Sequence, residues 1–168
     1  ALALAREPDL RYLIVGEGPL RERMREEVFR RGIESSFIFT GWLAHREVAQ
    51  CMNLASCVLL PSASEGQALV CLEAQACGCP VVASDIDGNR ELIENDVTGI
   101  LVHPGDPRLL AEATLRVVSN PRLRNDIGLR ARRSALDHSI DVIVSRYEKA
   151  LTSMFEKAGK GRKGGKAF

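Results

Sequence analysis

No stretch of this 168-residue chain is apolar for long enough to read as a membrane span. The longest near-apolar run, Ala68 to Ala83, is interrupted by Glu73, Gln75, Gly78 and Pro80. No secretory signal pattern opens the sequence, because Arg6 and Glu7 arrive before any extended apolar segment. Glycine (14) and proline (7) are too few, and apolar residues at 45% too many, for a collagen-like, mucin-like or wholly disordered chain. The five cysteines, Cys51, Cys57, Cys71, Cys77 and Cys79, are odd in number and form no C-x-x-C pair. Cys77-Gly78-Cys79 has no second Cys or His pair at ligand spacing, and His45, His103 and His138 stand apart, so no metal is expected. Free thiols in a reducing cytoplasm are expected instead.

A one-signed charge is also missing from most of the chain. The net charge is +1, but residues 157–168 hold four Lys and one Arg with no acid, leaving residues 1–156 with 18 basic and 22 acidic side chains. A nucleic-acid-binding body is normally basic, which argues against that partner. The Gly/Lys-rich stretch 157–168 is expected to be a disordered, solvated tail. Its alternative role is weak peripheral contact with anionic lipid at the membrane surface. The length fits one domain with a sizeable core, expected over residues 1–156. The sequence opens on Ala, as though inside a helix, and reads as part of a longer chain.

What the sequence does contain is a regular alternation. Strands are expected at Arg11–Val15, Phe37–Thr40, Val58–Leu60, Pro80–Ser84 and Ile100–Val102. Helices are expected at Leu20–Arg31, His45–Ala55, Gln67–Cys77, Pro107–Ser119, Arg122–Ala135 and Ile140–Lys157, with a short helical turn around Arg90–Glu94. Strands rich in Val, Ile and Leu that alternate with helices indicate an α/β, Rossmann-like, doubly wound parallel sheet with helices on both faces. No internal repeat is visible. In such sheets ligands bind beyond the carboxyl ends of the strands. Four loops therefore matter: Gly16–Pro19, Gly41–Ala44, Ser62–Gln67 and Asp85–Arg90.

Nineteen residues separate Glu65 from Asp85, and Glu73 is the one charged residue among them. A carboxylate buried in such surroundings needs a polar partner or loses its charge. Two readings stand for Glu73: a crevice-facing carboxylate accepting two hydroxyl hydrogen bonds from a ribose or sugar diol, or a helix glutamate reaching water or a structural Arg. The loop from Ser62 to Ala68 offers backbone N–H groups at a helix start, which suits an anion, though ordinary loop chemistry also accounts for it. Gly16-Glu17-Gly18-Pro19 follows a strand and opens a helix. Arg21 occupies the third glycine position of G-x-G-x-x-G, which weakens a nicotinamide-cofactor reading. Asp85-Ile86-Asp87 has the D-x-D form of some metal sites, but the following Gly88-Asn89 favours a turn. The Arg and Glu residues of Arg21–Arg31 read as a solvated helix face with i,i+4 pairs.

These segments together resemble the donor-binding core of GT-B glycosyltransferases of family four. Glu65 and Glu73 have the family's E-x7-E spacing, within Pro61-Ser62-Ala63-Ser64-Glu65-Gly66 and Glu73-Ala74-Gln75-Ala76-Cys77-Gly78-Cys79-Pro80. Leu13–Pro19 is similar to its V-G-D-G-P, Phe39-Thr40-Gly41 to its F-x-G, and Gly99–Asp106 to its G-x-L-V-x-P-G-D, in collinear order over residues 8–150. The resemblance implies the C-terminal, nucleotide-sugar-binding half of a retaining enzyme that needs no catalytic metal or cofactor. A UDP-, GDP- or ADP-sugar would be its substrate. It further implies that Glu73 binds the ribose hydroxyls and that Glu65, the catalytic candidate, lies near the donor-sugar hydroxyls. Gly66, Gln67 and Ala68 would line sugar and diphosphate with their backbone, Leu69 and Val70 would pack nearby, and Trp42 and Leu43 would lie beside the base. Gly16 and Gly18 complete the donor-binding set.

The chain also departs from the family. Gln67 and Ala68 stand where an aromatic residue and a glycine are common, and Asp85–Glu91 lacks the proline of D-x-G-G-I-P-E. The family's G-R-x-x-x-x-K-G strand and helix, whose cations clamp the diphosphate, lie upstream of Ala1, as does the acceptor-binding domain. Two rivals remain at this point. One is a nucleotide-sugar 2-epimerase-like domain, and the other a non-catalytic nucleotide-binding or scaffolding module.

Overall fold

The structure, a computed structural model, describes residues 1–66 and 68–162. Among the described residues thirteen elements follow the expected alternation. They are β1 (Tyr12–Val15), α1 (Arg21–Arg30), one 3-10 turn (Glu34–Ser36), β2 (Phe37–Gly41), α2 (His45–Leu54), β3 (Val58–Leu60), α3 (Leu69–Ala76), β4 (Val81–Ser84), α4 (Asp87–Arg90), β5 (Ile100–Val102), α5 (Pro107–Val118), α6 (Pro121–Leu136) and α7 (Ile140–Arg162).

All strand pairs are parallel, but they form two sheets rather than one. β1 pairs with β2, and β3, β4 and β5 lie side by side in that order. Among the described residues no strand pairs with the second edge of β1 or of β3. Tyr12, at the head of β1, has its pKa raised by burial and, to a smaller extent, by Cys57 just before β3.

The three-stranded sheet shows why apolar strands of this kind are covered on both sides. Along β4 every residue is buried. Val81 and Ala83 face one core with Met52 of α2, Cys71 and Ala74 of α3, and Leu92 and Ile93. Val82 faces the opposite core, with Ile100 and Val102 of β5, Ala113 and Val117 of α5, and Ile127 of α6. The period of two delivers alternate side chains to opposite faces, and each face meets its own helices. The two-stranded sheet is covered less completely. Tyr12 stacks on Phe37 at 4.9 Å between ring centroids, and the Arg25 guanidinium of α1 lies 5.2 Å from the centre of Phe39. On the other face, Leu13 and Ile38 are cross-strand neighbours, and both are exposed.

Helix ends follow local chemistry. The Asp106 carboxylate accepts from the N–H groups of Arg108 (2.8 Å) and Leu109 (3.1 Å), which caps α5 ahead of Pro107. Asn120 caps α6 in the same way through Leu123 N–H at 3.0 Å. One expected i,i+4 pair forms at the end of α1, with Glu27 accepting from Arg31, and Glu17, in the loop before the helix, accepts from Arg21. Gly78 ends α3 with φ +71°, and α6 crosses it closely at Gly128.

Most boundaries fall within one residue of the sequence reading, and three elements differ by two or more. α3 starts at Leu69 rather than Gln67, because Ala68 has non-helical backbone angles. The short helix covers Asp87–Arg90 rather than Arg90–Glu94, since Arg90 reaches back to Asp85 and Asp87. α7 continues to Arg162, into the tail expected to be disordered. Extending a formed helix costs far less than starting one. Residues 163–168 of that tail lie outside the described residues.

Among the described residues no helix is long and apolar enough to cross a membrane. All five cysteines are free thiols.

Candidate functional site

The carboxyl ends of the parallel strands carry the four loops singled out above. After β1, Gly16 takes φ +107°, a conformation only glycine adopts readily, and its N–H donates to the Gly41 carbonyl at 2.8 Å. That bond ties the Gly16–Pro19 loop to the end of β2. Gly18 follows without steric demand, because a Cβ placed there meets nothing within 4 Å. Next to Gly41, Trp42 is 81% exposed and Leu43 half-buried. An indole this open at a strand end presents a free stacking face.

The second group lies between β3 and α3. Glu65 is half-buried, and its carboxylate accepts a hydrogen bond from Ser62 Oγ at 2.7 Å. That bond fixes one carboxylate oxygen within the loop. Gly66 is exposed and open, Gln67 lies outside the described residues, and the Ala68 side chain is buried in the core. α3 then turns Cys71, Ala74 and Gln75 inward, with Gln75 Nε2 donating to the Leu92 carbonyl at 2.8 Å.

The opposite face of α3 is unusual for a soluble helix. Leu69 is 61% exposed, Val70 44% exposed, and Glu73 stands in solvent beside them. Glu73 thus reaches water, which both readings left open for it allow, and this removes the need for a polar protein partner. Its apolar neighbours in sequence point either inward or to the same open face, so its charge stays hydrated. Among the described residues Glu73 forms no ion pair. Leu69, Val70 and Glu73 thus make an apolar ledge with one accessible carboxylate, a surface suited to a ligand with both a flat apolar part and hydroxyl groups.

The β4 loop completes this end of the sheet. Arg90 Nε donates to Asp85 Oδ1 at 2.7 Å and Nη1 to Asp87 Oδ1 at 3.0 Å. The Arg90 hydrogen bond holds the Asp85 carboxyl below the usual carboxylate range. Both acids of the D-x-D sequence are therefore engaged by one guanidinium, in the turn that the sequence favoured. Among the described residues no three His, Cys, Asp or Glu side chains gather at metal-binding distance.

Sequence reasoning missed how the β3 and β4 loops meet. Gly88 lies directly against the backbone of Glu65. The signal available was a glycine inside a helical turn, where glycine is unfavourable and needs a reason. Gly16, Gly18, Trp42 and Leu43 lie on the two-stranded sheet, and Glu65 to Glu73 on the edge of the three-stranded one. Among the described residues no hydrogen bond joins these two groups.

Residues 1–134 match the family described as "Glycosyl transferases group 1". The chain belongs to that family. It is 34% identical over 116 residues to the alpha-D-kanosaminyltransferase of Streptomyces kanamyceticus, covering 69% of this chain and 30% of that protein. It is 32% identical over 172 aligned positions to the D-inositol 3-phosphate glycosyltransferase of Jonesia denitrificans, covering 95% and 41%. Among solved structures it is similar to Anabaena Alr3699/HepE in complex with UDP, with a TM-score of 0.80 and 28% identity over 90% of this chain and 43% of that one. The fold is thus that of GT-B glycosyltransferases. The chain spans between 17% and 41% of the length of the curated relatives it matches.

Proposed function

We propose that this chain is the nucleotide-sugar-binding part of a retaining, metal-independent glycosyltransferase of family four that works in the cytoplasm. The observation that carries the reading is the open face of α3, where Glu73 stands in solvent beside exposed Leu69 and Val70 at the carboxyl end of the sheet. An ionised carboxylate has two oxygens that can accept from the two adjacent hydroxyls of a ribose. Glu65, already oriented by Ser62, offers its remaining acceptor positions to the donor-sugar hydroxyls and is the catalytic candidate. Trp42 supplies a stacking face for the base, with Leu43 behind it. The backbone of Gly66 and Ala68 lines the sugar and diphosphate, and Gln67, assigned to the same role from the sequence, lies outside the described residues. UDP and glucose bound in a structure of the Anabaena relative support this ligand class.

The departing nucleoside diphosphate gathers negative charge, and stabilising that charge is usually a large share of catalysis. In this family reading the cations belong to an upstream Arg/Lys strand and helix, and the acceptor site to a further domain. The unpaired edges of β1 and β3 are where that strand would insert. The 168-residue chain alone is therefore expected to bind donor weakly and not to turn it over. Detectable sugar transfer by the purified chain would contradict this.

Ligand-observed NMR with UDP, GDP and ADP, on the chain and on Glu73→Ala, tests the reading. One nucleotide should bind. Removing a charged hydrogen-bonding partner should weaken it about ten- to a hundredfold, from a loss of roughly 1.5–3 kcal/mol. Binding that ignores the substitution moves the ribose away from Glu73, and no binding at millimolar nucleotide leaves a donor half too incomplete to hold its ligand or a scaffold that never did.

A further inference from the structure

Gly88 is buried in the first turn of α4, and a Cβ placed on it falls 2.5 Å from the Glu65 carbonyl oxygen, 2.9 Å from the Glu65 carbonyl carbon and 3.1 Å from Glu65 Cβ. Glycine there is not explained by backbone conformation, because Gly88 is not among the glycines with positive φ. It is not explained by helix propensity either, since glycine is the worse choice in a helix. Space is the remaining reason. Gly16, Gly18 and Gly66, the other glycines of the candidate site, meet nothing within 4 Å.

We propose that Gly88 is a positioning residue for Glu65, its missing side chain letting the β3 loop seat on α4 and so fixing where the Glu65 carboxylate stands. The inference rests on the donor-site reading of Glu65 for its functional consequence, though not for its geometry. α4 cannot easily retreat to make room. Asn89 is fully buried, and its Nδ2 donates to the Ser84 carbonyl at 2.7 Å, which ties the helix to the end of β4. Arg90 clamps the same turn to Asp85. The β3 loop is therefore the part that yields. A carbon beside a carbonyl oxygen needs about 3.3 Å, so Gly88→Ala pushes the Glu65 backbone away by roughly 0.8 Å. Ser62 and Glu65 are bonded within one loop, so the carboxylate travels with it rather than swinging back.

The test compares affinities for UDP, GDP and ADP with those for their glucose conjugates, in the intact chain and in Gly88→Ala. The affinity for the bare nucleotide should change less than about twofold, while the affinity for the glucose conjugate should fall about tenfold, as when one charged hydrogen bond is lost. In a Glu65→Gln background, Gly88→Ala should add no further loss, because both changes act on the same contact. Equal losses for nucleotide and conjugate, or full additivity with Glu65→Gln, overturn the proposal. The geometry is tested separately by the amide resonances of Ser64, Glu65 and Gly66, which should shift in ligand-free Gly88→Ala. If the intact chain binds none of the six compounds, the donor-site reading fails, and these shifts alone decide Gly88: unmoved amides overturn its role. Should Gly88→Ala fail to fold, the intact protein still answers, since a nuclear Overhauser effect between Gly88 Hα and Glu65 Hβ is required and its absence refutes the contact.

Discussion

Gly128→Ala sets two physical effects of opposite sign against each other. Gly128 lies inside α6, where replacing glycine with alanine should stabilise an unconstrained helix by about 1 kcal/mol. The structure predicts the reverse. A Cβ at Gly128 lies 2.2 Å from the Gly78 carbonyl oxygen, 3.3 Å from its carbonyl carbon and 3.8 Å from Pro80 Cδ. The obstructing atom is backbone, in a residue already held at φ +71° by the end of α3. Restoring an ordinary contact of about 3.3 Å requires the two helices to separate by roughly 1.1 Å at this point. Overpacking typically costs about 1–3 kcal/mol, and a displacement this large belongs near the top of that range. After subtracting the propensity gain, the net loss is about 2 kcal/mol. At about 2–4 °C per kcal/mol for a chain of this size, the thermal midpoint should fall by roughly 4–8 °C. Differential scanning calorimetry measures it, with Gly18→Ala as the control. That position has open space and should stay within about 0.5 kcal/mol of the parent. A midpoint for Gly128→Ala that is unchanged or raised would refute the reasoning, because it would mean that propensity outweighs the close approach of α3 and α6.

Further expectations concern other parts of the molecule. Burial pushes the thiols of Cys57 and Cys71 up to about 12 and that of Cys79 up to about 11. The unfolded chain loses these protons near pH 9, so the thiols' contribution should be flat below that pH and stability should fall as pH rises toward 11–12. Thermal melts across that range should show the decline, and Cys71→Ala should make it shallower. Asp106→Ala removes the acceptor of two α5 N–H bonds and should cost about 1 kcal/mol, read as a lower midpoint in the same melts. Trp42 is the one tryptophan of the chain, so its fluorescence reports on a single site. If the base stacks there, the nucleotide that binds should quench its emission, and Glu73→Ala should require about ten- to a hundredfold more nucleotide for the same quenching. Emission that stays constant while NMR records binding would place the base elsewhere.

The alternation of strands and helices was legible in the sequence because each element carries its own signal. Apolar runs such as Val58–Leu60 and Val81–Ser84 cannot be solvent-facing strands, and Asp106-Pro107 and Asn120-Pro121 mark helix starts through cap and proline chemistry. Those signals act within a few residues. The turn character of Asp85–Asp87 was readable for the same reason, since Gly88-Asn89 follows directly in the chain, whereas the Arg90 clamp on both acids was not.

Other features depend on residues far apart in sequence. Whether Glu73 is buried depends on which face of α3 meets the core, and one apolar helix turn does not show that. The division of five parallel strands into two sheets depends on which edges find partners. Gly88 against Glu65, and Gly128 against Gly78, are contacts between segments more than twenty positions apart in the chain. By itself, the sequence determined the element types, their order and the residues that end them, because caps, turns and periodicity are local physics. Tertiary structure alone decided which carboxylate faces water and which glycines must remain glycine. Burial and steric exclusion exist only once distant segments have been packed together.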